Sequence, residues 1–220
     1  MVRKYLILLA LVGSANAASD GFYVGIDAGV GFQNFVYNNS NLSSLNPQFS
    51  ASQLVVSGTA ASPQVGAFGG YMFNRNWGVE AGYQYMFNSA NITGAGIAGA
   101  NFDTGTYNLN AQLFDLLAVG RLPIEDSNFA VYGKLGLGYA YAQFGQYCTP
   151  AVCATGSLPS GSGLTVAGGI GLEYMITNSW NMQLELMNYG GLMPVNISSN
   201  GNTVGYWSDT SLTLGAAWHF

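Results

Sequence analysis

From residue 22 to 33 the chain alternates without a break. Phe22, Val24, Ile26, Ala28, Val30 and Phe32 fall on one face, and Tyr23, Gly25, Asp27, Gly29, Gly31 and Gln33 on the other. A period of two marks a strand with two unlike faces. The period returns over residues 64–73 and 77–86, which read as a hairpin around Asn74, Arg75 and Asn76. It recurs over residues 107–122, 129–142, 163–176, 180–189 and 211–220, so that eight strands are predicted. In the last of these Leu212, Leu214, Ala216, Trp218 and Phe220 share one face, while Ser211, Thr213, Gly215, Ala217 and His219 share the other.

The links between strands come in two lengths. Residues 74–76, 123–128 and 177–179 are short turns, whereas residues 34–62, 88–106, 143–162 and 190–209 are long, rich in Asn, Ser, Gly and Ala, and read as loops. Residues 53–57 interrupt the first loop with a brief strand-like pattern. About ten residues per strand, tilted near 40°, reach roughly 25 Å, the height of a membrane's apolar band. The pattern therefore predicts an all-β fold: an eight-stranded antiparallel up-and-down transmembrane β-barrel, with short periplasmic turns and long extracellular loops. Aromatic residues beside the turns (Phe73, Trp77) and at the far strand ends (Tyr83, Tyr85) would form interfacial girdles.

The first residues add a compartment. Arg3 and Lys4, an apolar run over residues 5–12 and the small-residue site Ala15-Asn16-Ala17 follow the order of a secretory leader. Residues 1–17 are read as a cleaved signal peptide and residues 18–220 as one barrel domain. No later apolar run approaches the roughly 18 residues a spanning helix needs.

Composition agrees with a membrane barrel. Aromatic residues make up 14%, charged residues only 7%, and there are 31 glycines. Of the five Lys and Arg residues, Arg3 and Lys4 leave with the leader, so that three remain against ten acidic ones. That balance argues against nucleic acid as a partner.

The strand order and motifs resemble the small eight-stranded outer-membrane barrels of Gram-negative bacteria, the OmpA transmembrane domain and OmpX-like proteins. The resemblance rests on Gly66-Ala67-Phe68-Gly69-Gly70-Tyr71, Gly78-Val79-Glu80-Ala81-Gly82-Tyr83, Leu122-Pro123-Ile124, Gly171-Leu172-Glu173-Tyr174-Met175-Ile176-Thr177, Leu184-Glu185, and Leu212 to Phe220. It covers most strands but not the loops. It implies an interior ion-pair network in place of an open pore, with Glu80 and Glu173 as acids and Arg121 and Lys134 as their bases. It also implies passage through periplasmic chaperones and the barrel assembly machinery, with Phe220 as the C-terminal assembly signal. Two departures stand out: Gln183 occupies the position, two before Glu185, where the typical member carries an Arg, and no peptidoglycan-binding domain is expected after the barrel.

Alternation turns Asp27, Glu80, Glu173 and Glu185 inward with Lys134, and Asp115 and Arg121 join them if the polar residues of the 107–122 strand are its inward set, a register the pattern leaves open. Buried carboxylates must be paired, hydrated or protonated. Two readings stand: a hydrogen-bonded plug, or a narrow water path biased toward cations. The one histidine, His219, lacks the cluster that metal binding or acid–base catalysis requires, and no Ser or Cys nucleophile has a base in reach at the outer rim. No enzyme, cofactor or metal is therefore expected. Cys148 and Cys153, spaced Cys-x4-Cys in an exported loop, read as a disulfide.

The expected function is a non-enzymatic envelope protein with surface loops for adhesion or interaction, and the alternative is a small, weakly cation-selective channel. Outer-membrane lipid and lipopolysaccharide are the expected surroundings, and host or phage surface ligands the candidate loop partners. A closed barrel has no free edge, so a monomer is expected.

Overall fold

The computed structural model describes residues 20–37, 54–56, 61–87, 92–94, 107–146, 160–190, 195–199 and 202–220. Eleven strands occur among them: β1 (Gly21–Tyr37), β2 (Leu54–Val56), β3 (Ala61–Met72), β4 (Trp77–Met86), β5 (Ile92–Gly94), β6 (Tyr107–Pro123), β7 (Phe129–Gln146), β8 (Ser160–Met175), β9 (Trp180–Tyr189), β10 (Val195–Ser199) and β11 (Asn202–His219). Eight form the barrel in the order β1-β3-β4-β6-β7-β8-β9-β11, every pair antiparallel. It closes where β1 pairs with β11 from Tyr23↔His219 to Tyr37↔Gly205. The Phe220 amide adds a bond to Phe22 O at 3.0 Å.

The turns form because their side chains replace missing ladder bonds. Asn74 Oδ1 accepts from the amides of Asn76 (2.9 Å) and Trp77 (3.0 Å), and Thr177 Oγ1 accepts from Ser179 (3.3 Å) and Trp180 (3.0 Å). These are the Asx and ST turns that Asn and Thr favour. Asp126, at φ 57°, takes the left-handed corner of the middle turn.

Outward positions are apolar all round. Ile26, Leu116, Leu122, Leu135 and Ile170 are each about two-thirds exposed, and the charged residues of the same strands point the other way. A closed apolar belt around a polar interior matches a bilayer and not water. Aromatic pairs edge the belt at the short-turn end: Phe22 with Tyr71, Phe129 with Tyr174, and Trp180 with Trp218, each 4.8 Å between centroids. Tyr83 with Phe114 and Tyr85 with Phe87, at 4.7 Å, lie toward the other end.

The predicted loops need correction at their flanks. Residues 34–37, 61–62, 143–146, 160–162 and 202–209 belong to strands, β10 lies within residues 190–209, and β2 pairs with β5 in a separate two-stranded sheet. The brief pattern at residues 53–57 corresponds to β2. Backbone ladders continue beyond the lipid belt, where outward positions are free to be polar. Asn188 and Thr210 illustrate this on adjacent strands, with Asn188 Nδ2 donating to Thr210 Oγ1 at 2.8 Å. Apolar alternation fades there although the strand does not.

Candidate functional site

The interior is crowded because eight strands leave a narrow lumen. Glycines on inward positions make the room. Tyr23 sits directly across the β1–β3 ladder from Gly70, and Tyr132 directly across the β7–β8 ladder from Gly171. A Cβ on either glycine would fall on the tyrosine ring. Each tyrosine can therefore lie flat over its neighbouring strand and carry its hydroxyl into the lumen.

Lys134 of β7 is the centre of the group. Its Nζ lies 2.7 Å from Glu80 Oε1 of β4 and 2.5 Å from Glu185 Oε2 of β9. Tyr23 donates to Glu80 Oε2 at 2.9 Å and Tyr132 to Glu185 Oε2 at 3.0 Å. The rings of Phe68 and Tyr132 stand 5.3 and 5.2 Å from the ammonium, within cation–π range. Nearer the short turns, Arg121 Nε and Nη2 donate to Glu173 Oε2 (2.9 Å) and Oε1 (2.7 Å), a bidentate pair.

Asp27 and Asp115 have no ion pair among the described residues. Gln84 Nε2 donates to Asp27 Oδ1 and Oδ2 at 3.1 and 2.9 Å. Asp115 is buried across from Gly82, and its Oδ1 has no hydrogen-bond partner among the described residues. Between these groups is a cavity of about 10 Å³, lined in part by Asp27, Glu80, Gln84, Asp115, Glu185 and Tyr189. That is about the room one water needs.

The structure places the seven charged residues singled out from the sequence toward the interior, and three ion pairs join five of them: Lys134 with Glu80 and with Glu185, and Arg121 with Glu173. Gln183, buried across from Glu173, brings no charge, and Lys134 takes both Glu80 and Glu185. Cys148 and Cys153 lie outside the described residues. His219 is at the short-turn rim, 2.9 Å from Asn181 Nδ2 and stacked on Tyr23 at 5.4 Å.

Sequence reasoning missed three kinds of participant. The hydroxyls of Tyr23 and Tyr132 look like ordinary strand aromatics until their glycine partners are known. Gln84 gives no sign that it serves Asp27. Asp209, assigned to a loop, is an inward residue of β11 and 1% exposed. The available signal was parity, since Trp207, Asp209 and Ser211 continue the inward set of the last strand.

A family model described as outer membrane protein beta-barrel domain matches residues 5–220. No curated protein sequence matches the chain. Among solved structures it is similar to the outer membrane protein OprG from Pseudomonas aeruginosa, at 19% identity over 93% of this chain and 97% of that one, TM-score 0.56. It is also similar to a major outer membrane protein from Thermus thermophilus (14% identity, 92% and 100% covered, TM-score 0.54). Neisserial surface protein A is a third neighbour (14%, 91% and 97%, TM-score 0.52). At these identities the likeness is one of fold.

Proposed function

Since the chain belongs to the outer membrane protein β-barrel domain family, we propose that it is a non-enzymatic envelope protein whose lumen is plugged and whose loops act at the cell surface, in adhesion or another interaction. Its place is the outer membrane, with the long loops outside. The observation that carries the reading is the Lys134 group: side chains from β3, β4, β7 and β9 surround one ammonium, Tyr23 of β1 backs Glu80, and a cavity of about 10 Å³ is left. A plugged lumen leaves the outer ends as the surface available to partners. Residues 1–17 serve as the leader, residues 18–220 as the barrel, and Phe220 as the assembly signal. Lipid and lipopolysaccharide surround a monomer, and host or phage surfaces meet its loops.

The test is adherence of bacteria displaying the full chain to an epithelial monolayer. The comparison strain carries the same barrel with its four long connections shortened to Gly-Ser turns. Adherence should fall with the shortened loops while the barrel still folds, and equal adherence would overturn the surface role.

A second reading, a weakly cation-selective path, draws support from Asp27 and Asp115, which line the cavity without an ion-pair partner among the described residues.

A further inference from the structure

Above the Lys134 group, toward the extracellular end, the lumen holds a second polar group that no ion pair among the described residues serves. Asp209 of β11 is 1% exposed and Gln64 of β3 is 2% exposed. Among the described residues, neither carboxylate oxygen of Asp209 and neither amide atom of Gln64 has a hydrogen-bond partner. The two side chains meet over Gly31 of β1. A Cβ on that glycine would lie 2.7 Å from Asp209 Oδ1, 3.2 Å from Asp209 Oδ2 and 3.0 Å from Gln64 Oε1. Three oxygens therefore converge on one point, which a glycine keeps open. Two of the donors beside them are committed elsewhere: Trp207 Nε1 donates to Gln33 Oε1 and Gln33 Nε2 to Ser62 Oγ, both at 3.2 Å.

If it stays ionised, a carboxylate buried this deeply needs a counter-charge, and the described residues have none left to offer. The chain's five Lys and Arg residues are Arg3, Lys4, Arg75, Arg121 and Lys134. Arg3 and Lys4 precede the barrel, and Arg75 is exposed on a turn at the opposite end. Arg121 is held by Glu173, and Lys134 by Glu80 and Glu185. The sole histidine, His219, is also at the opposite end.

The counter-charge of the ionised carboxylate would then come from outside. A set of oxygens with no nitrogen or sulfur selects a hard cation. One carboxylate is balanced by one positive charge, whereas a divalent ion would leave an excess in a low-dielectric lumen. We propose that Asp209 and Gln64 form a binding site for a monovalent metal cation, Na⁺ or K⁺, in the extracellular half of the lumen. The site exists whether or not the barrel conducts, and so it does not depend on the surface role.

Trp207 reports on it, being two residues from Asp209 on the same inward face and bonded to Gln33, the β1 partner of Asp209. Refolded barrel in zwitterionic micelles is titrated with NaCl or KCl against N-methylglucamine chloride, at constant ionic strength and pH 7.5, while tryptophan emission is followed. A saturable change is expected with the metal ions and not with the bulky cation. Asp209→Asn should abolish it. Gln64→Ala and Gly31→Ala, the latter keeping every charge but crowding the oxygens, should raise the half-saturating concentration at least tenfold. Heat-modifiable gel migration verifies that each variant is folded. An identical response in folded wild type and Asp209→Asn would overturn the site, as would no response in folded wild type. A change that follows pH alone would show a proton in place of the metal and overturn it too, and saturation by Ca²⁺ at a concentration a hundredfold below Na⁺ would overturn the monovalent assignment.

Discussion

Glu80 and Lys134 are joined at 2.7 Å although their strands, β4 and β7, are kept apart by β6. The same skip recurs in Arg121–Glu173 across β7, Tyr132–Glu185 across β8, and Tyr23–Glu80 and Gln84–Asp27 across β3. Backbone ladders join neighbours only, so these bonds are what ties second neighbours together through the lumen.

Removing the cation at the centre should be costly. Lys134→Met leaves Glu80, which is buried, and Glu185, which is half-buried, without their shared cation, and the loss of a buried partner typically costs about 3–5 kcal/mol. Urea unfolding of the refolded barrel in micelles measures it. Adding Glu80→Gln and Glu185→Gln should recover most of the loss, because the stranded charges are then gone.

Arg121→Lys keeps the charge but not the two-pronged geometry with Glu173. A lysine is a point donor and cannot reproduce the paired bonds from Nε and Nη2. A loss of about 1–2 kcal/mol is expected in the same unfolding assay.

The tyrosine hydroxyls are expected to contribute separately. Tyr23→Phe and Tyr132→Phe each leave one carboxylate oxygen short of a donor, for about 1–2 kcal/mol apiece. Gly171→Ala should destabilise more than Tyr132→Phe, because its methyl displaces the whole ring and not the hydroxyl alone.

Depth in the bilayer can be read from the outer face. Leu116 lies midway along the belt, and Leu122 beside the short-turn girdle. Leu116→Arg should cost about 2–4 kcal/mol and Leu122→Arg only about 0–1 kcal/mol. Urea titration of the barrel refolded in lipid vesicles separates the two, and equal costs would contradict the assigned belt.

Inward and outward residues are legible in the sequence wherever lipid demands apolar side chains on one face. That is why Asp27, Glu80 and Glu173 fall on the inward face of a clean alternation, and why β4 and β9 match their predicted extents; the 107–122 strand could be oriented only by assuming that Asp115 and Arg121 point inward. The demand ends above the belt, and with it the signal: residues 34–37 and 202–209 are strands built of mixed polar and aromatic residues. Asp209 was lost to the loop reading for that reason. The pairing of Lys134 with both Glu80 and Glu185 was not legible, since bonds that skip a strand depend on closure and register. Gln183 hinted that the usual arrangement was altered, but not that one lysine would serve two acids.

Whether the interior group plugs the lumen is decided by single-channel recording of the refolded mature protein in a planar bilayer. Wild type should be silent, and Lys134→Ala or Glu173→Ala should admit current by loosening the group. Discrete cation-selective openings in folded wild type would contradict the plug and turn the same charges into the lining of a channel.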